Sequence, residues 1–266
     1  MRDPLAFRIR PQTLDEVVGQ QHLVSQDSIL RRSLEKKEPF SMILFGPPGT
    51  GKTTIAVAYA KSLGIHFEKL NAVTTDKKEM ESAIQTAKLF GHAIIIMDEV
   101  HRLDKTKQDL LLPYVEDGTF FLIGATTANP YIALNRAIRS RCRLLEVKAL
   151  TDEDIFNGLR RAVEHENGIN NEYKFSEDAL RYIAKLSGGD LRFSLNTLEQ
   201  ATIQFDRDKE ITQEDKQEEL TQKVNALQEK LDTKNQQIKR NEEYSLELIK
   251  IVNELKKKLS AISKSK

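Results

Sequence analysis

The sequence predicts an α/β fold: a doubly wound parallel sheet, then a small helical domain, then a coiled-coil-like helix at the C-terminus. Three observations predict it. Gly46-Pro47-Pro48-Gly49-Thr50-Gly51-Lys52-Thr53 fits the pattern G-x-x-x-x-G-K-[ST] and stands between a short apolar run and an Ala-rich one. Strand-like and helix-like patterns alternate over about 13–148. From Thr151 onward the periodicity is helical only.

The elements follow in order. Asp3 to Pro11 is short, basic and bounded by prolines, so it reads as an extended arm. Thr13-Leu14-Asp15-Glu16 opens a helical turn with the spacing of a capping box, and Val17-Val18-Gly19-Gln20 closes it at a glycine. His22 has no second ligand at metal spacing and reads as a surface or capping residue. Ser28 to Leu34 is helical, and Glu38-Pro39 ends it. Ser41 to Phe45 is the strand before the glycine loop, and Thr54 to Ala60 lies in the helix after it. A strand over His66–Leu70, a helix over Lys77–Phe90 and a strand over Ala93–Met97 follow. The last is apolar throughout, as a strand covered on both faces requires. A further helix precedes the strand Phe120–Gly124, and Arg143–Val147 is the last strand of the sheet. Helices are expected near 152–166, 176–187 and 190–205. The expected domains are 1–150, 151–211 and a tail over 212–266. In the tail, apolar residues from Leu220 to Ile262 fall on alternating four- and three-residue steps, interrupted by Lys234, Asn241 and Ser245.

Composition narrows the function classes. The 266 residues are 39% hydrophobic and 30% charged with a net charge of +1, so attraction to nucleic acid has to come from local patches. Arg31, Arg32, Lys36 and Lys37 form one basic cluster, for which a solvated helix face is the simpler reading. Cys142 is the only cysteine, which excludes an intramolecular disulfide. With no signal-like segment and no bilayer-length apolar run, a cytoplasmic location is expected.

The glycine loop carries the chemistry. Its backbone N–H groups and the following helix N-terminus suit a polyphosphate, Lys52 can reach the terminal phosphates, and Thr53 can hold Mg²⁺. The strand Ile94-Ile95-Ile96-Met97 ends in Asp98-Glu99. An aspartate there can orient the Mg²⁺ shell, while the adjacent glutamate can polarise a water for attack on a γ-phosphate. Gly124-Ala125-Thr126-Thr127-Ala128-Asn129-Pro130, at the end of the next strand, offers hydroxyls or an amide to the same phosphate. Two arginines stand out: one within Arg139-Ser140-Arg141-Cys142-Arg143, placed to project into a neighbouring subunit, and Arg192 at the start of the last helix of the small domain.

Taken together, these segments resemble the AAA+ ATPases of the clamp-loader group, and within it the RarA (MgsA) family of replication-associated recombination ATPases. The resemblance rests on Phe7-Arg8-Ile9-Arg10-Pro11, Val18-Gly19-Gln20-Gln21-His22-Leu23, the glycine loop, Met97 to Arg102, Glu116-Asp117-Gly118-Thr119, Gly124 to Pro130, and Gly189-Asp190-Leu191-Arg192 with Leu195 to Glu199. It covers roughly residues 3–212 and implies an AAA+ fold whose helical domain is a lid. By its motifs, Gly46, Pro47, Pro48, Gly49, Thr50, Gly51, Lys52, Thr53 and Thr54 form the Walker A site, and Asp98 and Glu99 the Walker B pair. Thr127 becomes the sensor-1 residue, with Asn129 as the alternative, Arg141 the trans-acting arginine finger and Arg192 the sensor-2 arginine. Val17, Val18 and Gly19 match the adenine-pocket segment. His101 and Arg102 receive no catalytic role.

The resemblance implies ATP hydrolysis with Mg²⁺, action on DNA at replication or recombination intermediates, and self-assembly. DNA contacted through its backbone, further copies of the chain and replication proteins such as single-strand-binding protein are the partners expected. RarA-like proteins continue past the lid into a tetramerisation domain, whereas this sequence changes composition after about Asp215, as a truncated or fused copy would. Two other readings are an ATP-binding regulatory module with little turnover and a RuvB-like branch-migration motor, which shares the glycine loop but fits the lid motif less well.

Overall fold

The computed structural model describes residues 3–205, 210–212 and 214–215. The proposed seam from Leu220 to Ile262 lies outside the described residues. Residues 1–212 form one compact unit.

The chain begins with α1 (Leu5–Arg8), a one-turn 3₁₀ helix at Leu14–Glu16, α2 (Gln21–Val24) and α3 (Ile29–Lys36). The glycine loop joins β1 (Met42–Phe45) to α4 (Lys52–Leu63). Then come β2 (Phe67–Asn71), α5 (Lys77–Phe90) and β3 (Ala93–Asp98). A second 3₁₀ turn at Val100–Arg102 leads to α6 (Lys105–Glu116) and β4 (Phe120–Thr126). Two short helices, α7 (Pro130–Ala133) and α8 (Arg136–Arg141), precede β5 (Arg143–Glu146). The helical part holds α9 (Asp152–Glu164), β6 (Lys174–Phe175), α10 (Glu177–Leu186) and α11 (Leu191–Gln204), and β7 (Glu210–Ile211) pairs with β6.

All neighbours in the five-stranded sheet are parallel, in the order β2-β3-β4-β1-β5. The expected doubly wound sheet is therefore present, with the strand before the glycine loop inside it. β3 shows why its sequence is apolar throughout: Ile94 and Ile96 enter one core with α4, while Ile95 and Met97 enter the other with α5 and α6. Alternating side chains on a strand face opposite sides of the sheet, so a strand buried on both needs an unbroken apolar run.

The N-terminal segment departs from the expected extended arm. Pro4 stands at the N-cap of α1, where its missing N–H costs nothing, and Leu5 and Ile9 are buried with Leu159, Ile183 and Leu198 of the lid helices. Glu199 accepts from the Leu5 N–H at 3.0 Å, and Arg8 Nη1 donates to Gly168 O at 2.7 Å. Proline boundaries were compatible with either conformation, and burial against α11 decides for a helix. Leu5→Ala should therefore cost about 2–5 kcal/mol, as large-to-small core changes do. A mobile arm would predict no shift in the urea midpoint, and that result would remove α1 from the core.

Thr13 and Glu16 also differ from expectation. The 3₁₀ turn forms, but no side chain caps it; Thr13 Oγ1 donates to Glu16 Oε1 at 3.1 Å instead. The Glu16 carboxylate also takes Arg161 Nη2 at 2.7 Å, which ties the turn to α9. No described helix is long and apolar enough to cross a membrane.

Candidate nucleotide site

The site grows from the carboxyl ends of β1, β3 and β4, where parallel strands deliver their following loops to one edge. The loop after β1 is stitched to β4 by the Gly46 N–H donating to Thr126 O at 3.2 Å. Gly46 has a φ of +154°, and a Cβ on it would lie 1.9 Å from Val147 O. Only glycine allows that approach. Farther along, a Cβ on Gly49, whose φ is +71°, would meet the Asp190 carboxylate at 1.9 Å. The loop thus lies directly against the N-cap of α11, where Asp190 Oδ1 accepts from the Phe193 N–H at 2.9 Å.

Lys52 begins α4 and is only 8% exposed. Its Nζ donates to Gly46 O at 2.9 Å and Pro47 O at 2.5 Å. Burial lowers its pKa, the charges of Glu99 and Asp98 oppose that shift, and Arg192 adds to it. Lys52 is therefore a desolvated cation beside two carboxylates. Thr53 Oγ1 donates to Asp98 Oδ2 at 3.1 Å, which brings together the hydroxyl and carboxylate read from sequence as metal ligands. Two hard oxygens suit Mg²⁺, which takes one or two protein ligands and completes its shell with phosphate and water. Among the described residues no group of three or more His, Cys, Asp or Glu is placed to hold a metal ion by itself.

One cleft collects most of the residues named from sequence. Pro48, Gly49, Thr50, Gly51, Lys52, Thr53 and Thr54 form its floor; Asp98, Glu99 and Thr127 line it from β3 and β4; Arg192 and Leu195 close it from α11. Val17 and Val18 give it an apolar wall, suited to a flat ring, together with Leu150 and Leu191. Gly46 and Pro47 contribute carbonyls to Lys52, and Gly19 packs instead against Leu150 and Asp154.

Other residues stand apart from the cleft. The Asn129 amide accepts from the Tyr131 N–H at 2.9 Å and caps α7. Arg141 lies at the amino end of β5, pairs with Glu116 and donates to Ala137 O at 2.9 Å. β1 and β5 run parallel with Met42 opposite Arg143, so Arg141 and the glycine loop occupy opposite ends of the sheet, roughly 10 Å apart along the strands. The basic cluster is partly engaged: Arg31 pairs with Asp15 and Arg32 donates to Asp27 O. His22 Nε2 sits 2.8 Å from Glu146 O.

Three groups to which the sequence assigns no role stand in or beside the cleft. Arg10 lines it, and its pKa is lowered by burial and then by Arg192, with Asp98 opposing. The Arg161 held by Glu16 lines it as well. His101 Nδ1 lies 2.9 Å from Thr126 Oγ1 and 3.3 Å from Glu99 Oε2. Nothing in a single basic residue before Pro11 marks Arg10 as a cleft cation; only the folding of α1 onto the lid brings it there.

Comparison with known proteins adds one family match, two relatives and one solved structure. Residues 9–137 match the family described as the Holliday junction DNA helicase RuvB P-loop domain. The chain is 52% identical over 202 residues to replication-associated recombination protein A of Bacillus subtilis, covering 75% of this chain and 48% of the relative. It is 44% identical over 202 residues to the Escherichia coli K12 protein of the same name, covering 74% and 45%. The chain thus spans about half the length of the curated relatives it matches. Among solved structures, the Thermotoga maritima RuvB Holliday junction branch migration motor superimposes with a TM-score of 0.63 at 28% identity, over 72% of this chain and 64% of that one.

Proposed function

We propose that the chain carries a RarA-like AAA+ ATPase core that hydrolyses ATP with Mg²⁺ and couples the cycle to binding DNA at replication or recombination intermediates, a reading supported by its similarity to the recombination proteins above. The observation that carries this reading is the convergence of Lys52, Thr53, Asp98, Glu99, Thr127 and Arg192 on one cleft whose apolar wall begins at Val17 and Val18. Nucleotide-binding modules need the loop and the lysine. Hydrolysis also needs a group that orients or deprotonates the attacking water, and Glu99, a carboxylate outside the metal-ligand pair, lies in the same cleft.

In this reading the loop amides, Lys52 and Arg192 bind the phosphates, and Val17 and Val18 hold the base. Thr53 and Asp98 would hold Mg²⁺, which when bound offsets phosphate charge as it develops. Glu99 accepts the proton of the attacking water, and Thr127 orients the γ-phosphate. Arg141 serves a neighbouring copy, since its place at the far end of β5 keeps it from its own cleft. DNA, further copies of the chain and replication proteins such as single-strand-binding protein are the proposed partners.

The test is steady-state ATP turnover with and without single-stranded and forked DNA across a salt series. DNA held through backbone phosphates should stimulate turnover at low salt, with the DNA concentration for half-stimulation rising steeply as salt rises. An absence of turnover under all conditions would leave a binding module in place of an ATPase. Turnover indifferent to DNA would remove DNA from the proposal.

A further inference from the structure

His101 stands between Glu99, which lines the cleft, and Thr126, which lies just behind it. Its Nδ1 lies 2.9 Å from Thr126 Oγ1, at the carboxyl end of β4, and 3.3 Å from Glu99 Oε2, just past the end of β3. Thr126 is 1% exposed, and its hydroxyl oxygen also accepts from the Ala128 N–H at 3.0 Å. The next residue, Thr127, lines the cleft. Thr126 Oγ1 is thus the hydrogen-bond partner of the His101 ring, and the Glu99 carboxylate lies beside that same nitrogen.

The backbone fixes this geometry. Glu99 has a φ of +52°, a left-handed turn that breaks the direction of β3. The 3₁₀ turn that follows is anchored by Val100, which is fully buried against Gly124 of β4; a Cβ on Gly124 would stand 2.9 Å from Val100 Cγ1. Missing a side chain at Gly124 lets the turn seat close to β4 and places His101 over Thr126. The Glu99 side chain is 38% exposed, and its charge is felt by Lys52 on the phosphate side. Without a fixed partner such a carboxylate rotates among staggered conformers, most of which do not face an attacking water.

We infer that His101 is a positioning residue for Glu99: fixed by its hydrogen bond to Thr126, the ring stands 3.3 Å from one carboxylate oxygen of the base and confines that side chain beside the tip of β4, leaving the other oxygen for the water. This rests on the reading of Glu99 as the general base. It makes the orientation of the base depend on the strand that also presents Thr127.

The experiment compares His101→Ala, His101→Asn and His101→Gln for turnover and for binding of a fluorescent ATP analogue. It then repeats His101→Ala on a Glu99→Gln background in single-turnover format. An asparagine amide nitrogen stands as many bonds from Cβ as Nδ1 does, whereas a glutamine nitrogen reaches the region of Nε2. His101→Ala should lower kcat roughly 10- to 100-fold, the scale of a misplaced catalytic group, with nucleotide affinity nearly unchanged. His101→Asn should recover most of the loss, and His101→Gln should not. On the Glu99→Gln background His101→Ala should cost nothing further, because it acts through the carboxylate that is gone.

Parental turnover in His101→Ala, equal rescue by Asn and Gln, or the same proportional loss with and without Glu99 would each overturn the inference. Should the alanine variant lose its fold, the contrast between Asn and Gln decides. Glu99→Gln turning over like the parent would instead overturn the reading on which the inference rests.

Discussion

Replacing Arg141 by alanine should leave ATP binding intact and lower turnover on the order of 10³-fold or more, the scale of an arginine finger supplied to a phosphoryl-transfer site. Binding survives because Arg141 does not line its own cleft; its contacts are Glu116, Ala137 O and Ser140 Oγ. The loss of activity alone would not identify a neighbour as the beneficiary. Mixing Arg141→Ala with Lys52→Ala should restore part of the turnover, since an intact loop on one copy can then meet an intact arginine on another. Neither variant can assemble that pair by itself. A mixture no more active than the sum of its components, at a concentration where the parent is oligomeric by sedimentation, would leave Arg141 as a structural residue tying α8 to α6.

Glu99→Gln should produce a protein that takes up ATP and keeps it. The substitution preserves size and hydrogen-bonding shape, and Thr53, Asp98 and Lys52 retain their contacts, so affinity should stay near the parent's. Loss of the proton acceptor should reduce kcat by about 10²- to 10⁴-fold. Rapid-quench measurement of bound nucleotide would find ATP where the parent yields ADP. Parental turnover would show that another group takes the proton.

The parts of the site legible in sequence are those whose chemistry is contiguous. The glycine loop and the Asp98-Glu99 pair each sit in one run of residues with a strand before it, so local pattern alone placed them. Arg192 and Thr127 were legible through the family's motifs, and both line the cleft. What escaped notice depends on long-range packing. Leu5 to Arg8 reads as an arm because four residues carry no helical periodicity, and partners far along the chain, Gly168, Glu199 and the lid core, hold the helix. Arg10 enters the cleft for the same reason. His101 looked like part of a connecting turn because its partner Thr126 lies on another strand, and the fit of Val100 to Gly124 that seats the turn is invisible before the sheet is built. The α7 and α8 helices escaped because, at four and six residues, they are shorter than any periodic window; asparagines at their N-caps hold them.

β1 has β4 on one side and β5 on the other. The strand that feeds the glycine loop is thus bonded along one edge to the strand that ends just before Thr127, and along the other to the strand that begins just after Arg141. In an array of copies, each chain would carry its own fuel sensor and the trigger for the next chain on the two strands that flank β1. A displacement of β1 would pass to the trigger through the length of β1 and one strand spacing, about 4.8 Å, to β5. Signals would then travel round the assembly as a sequence of handovers, each site timed by the one before it, and a stiff sheet rather than a flexible linker would set the delay.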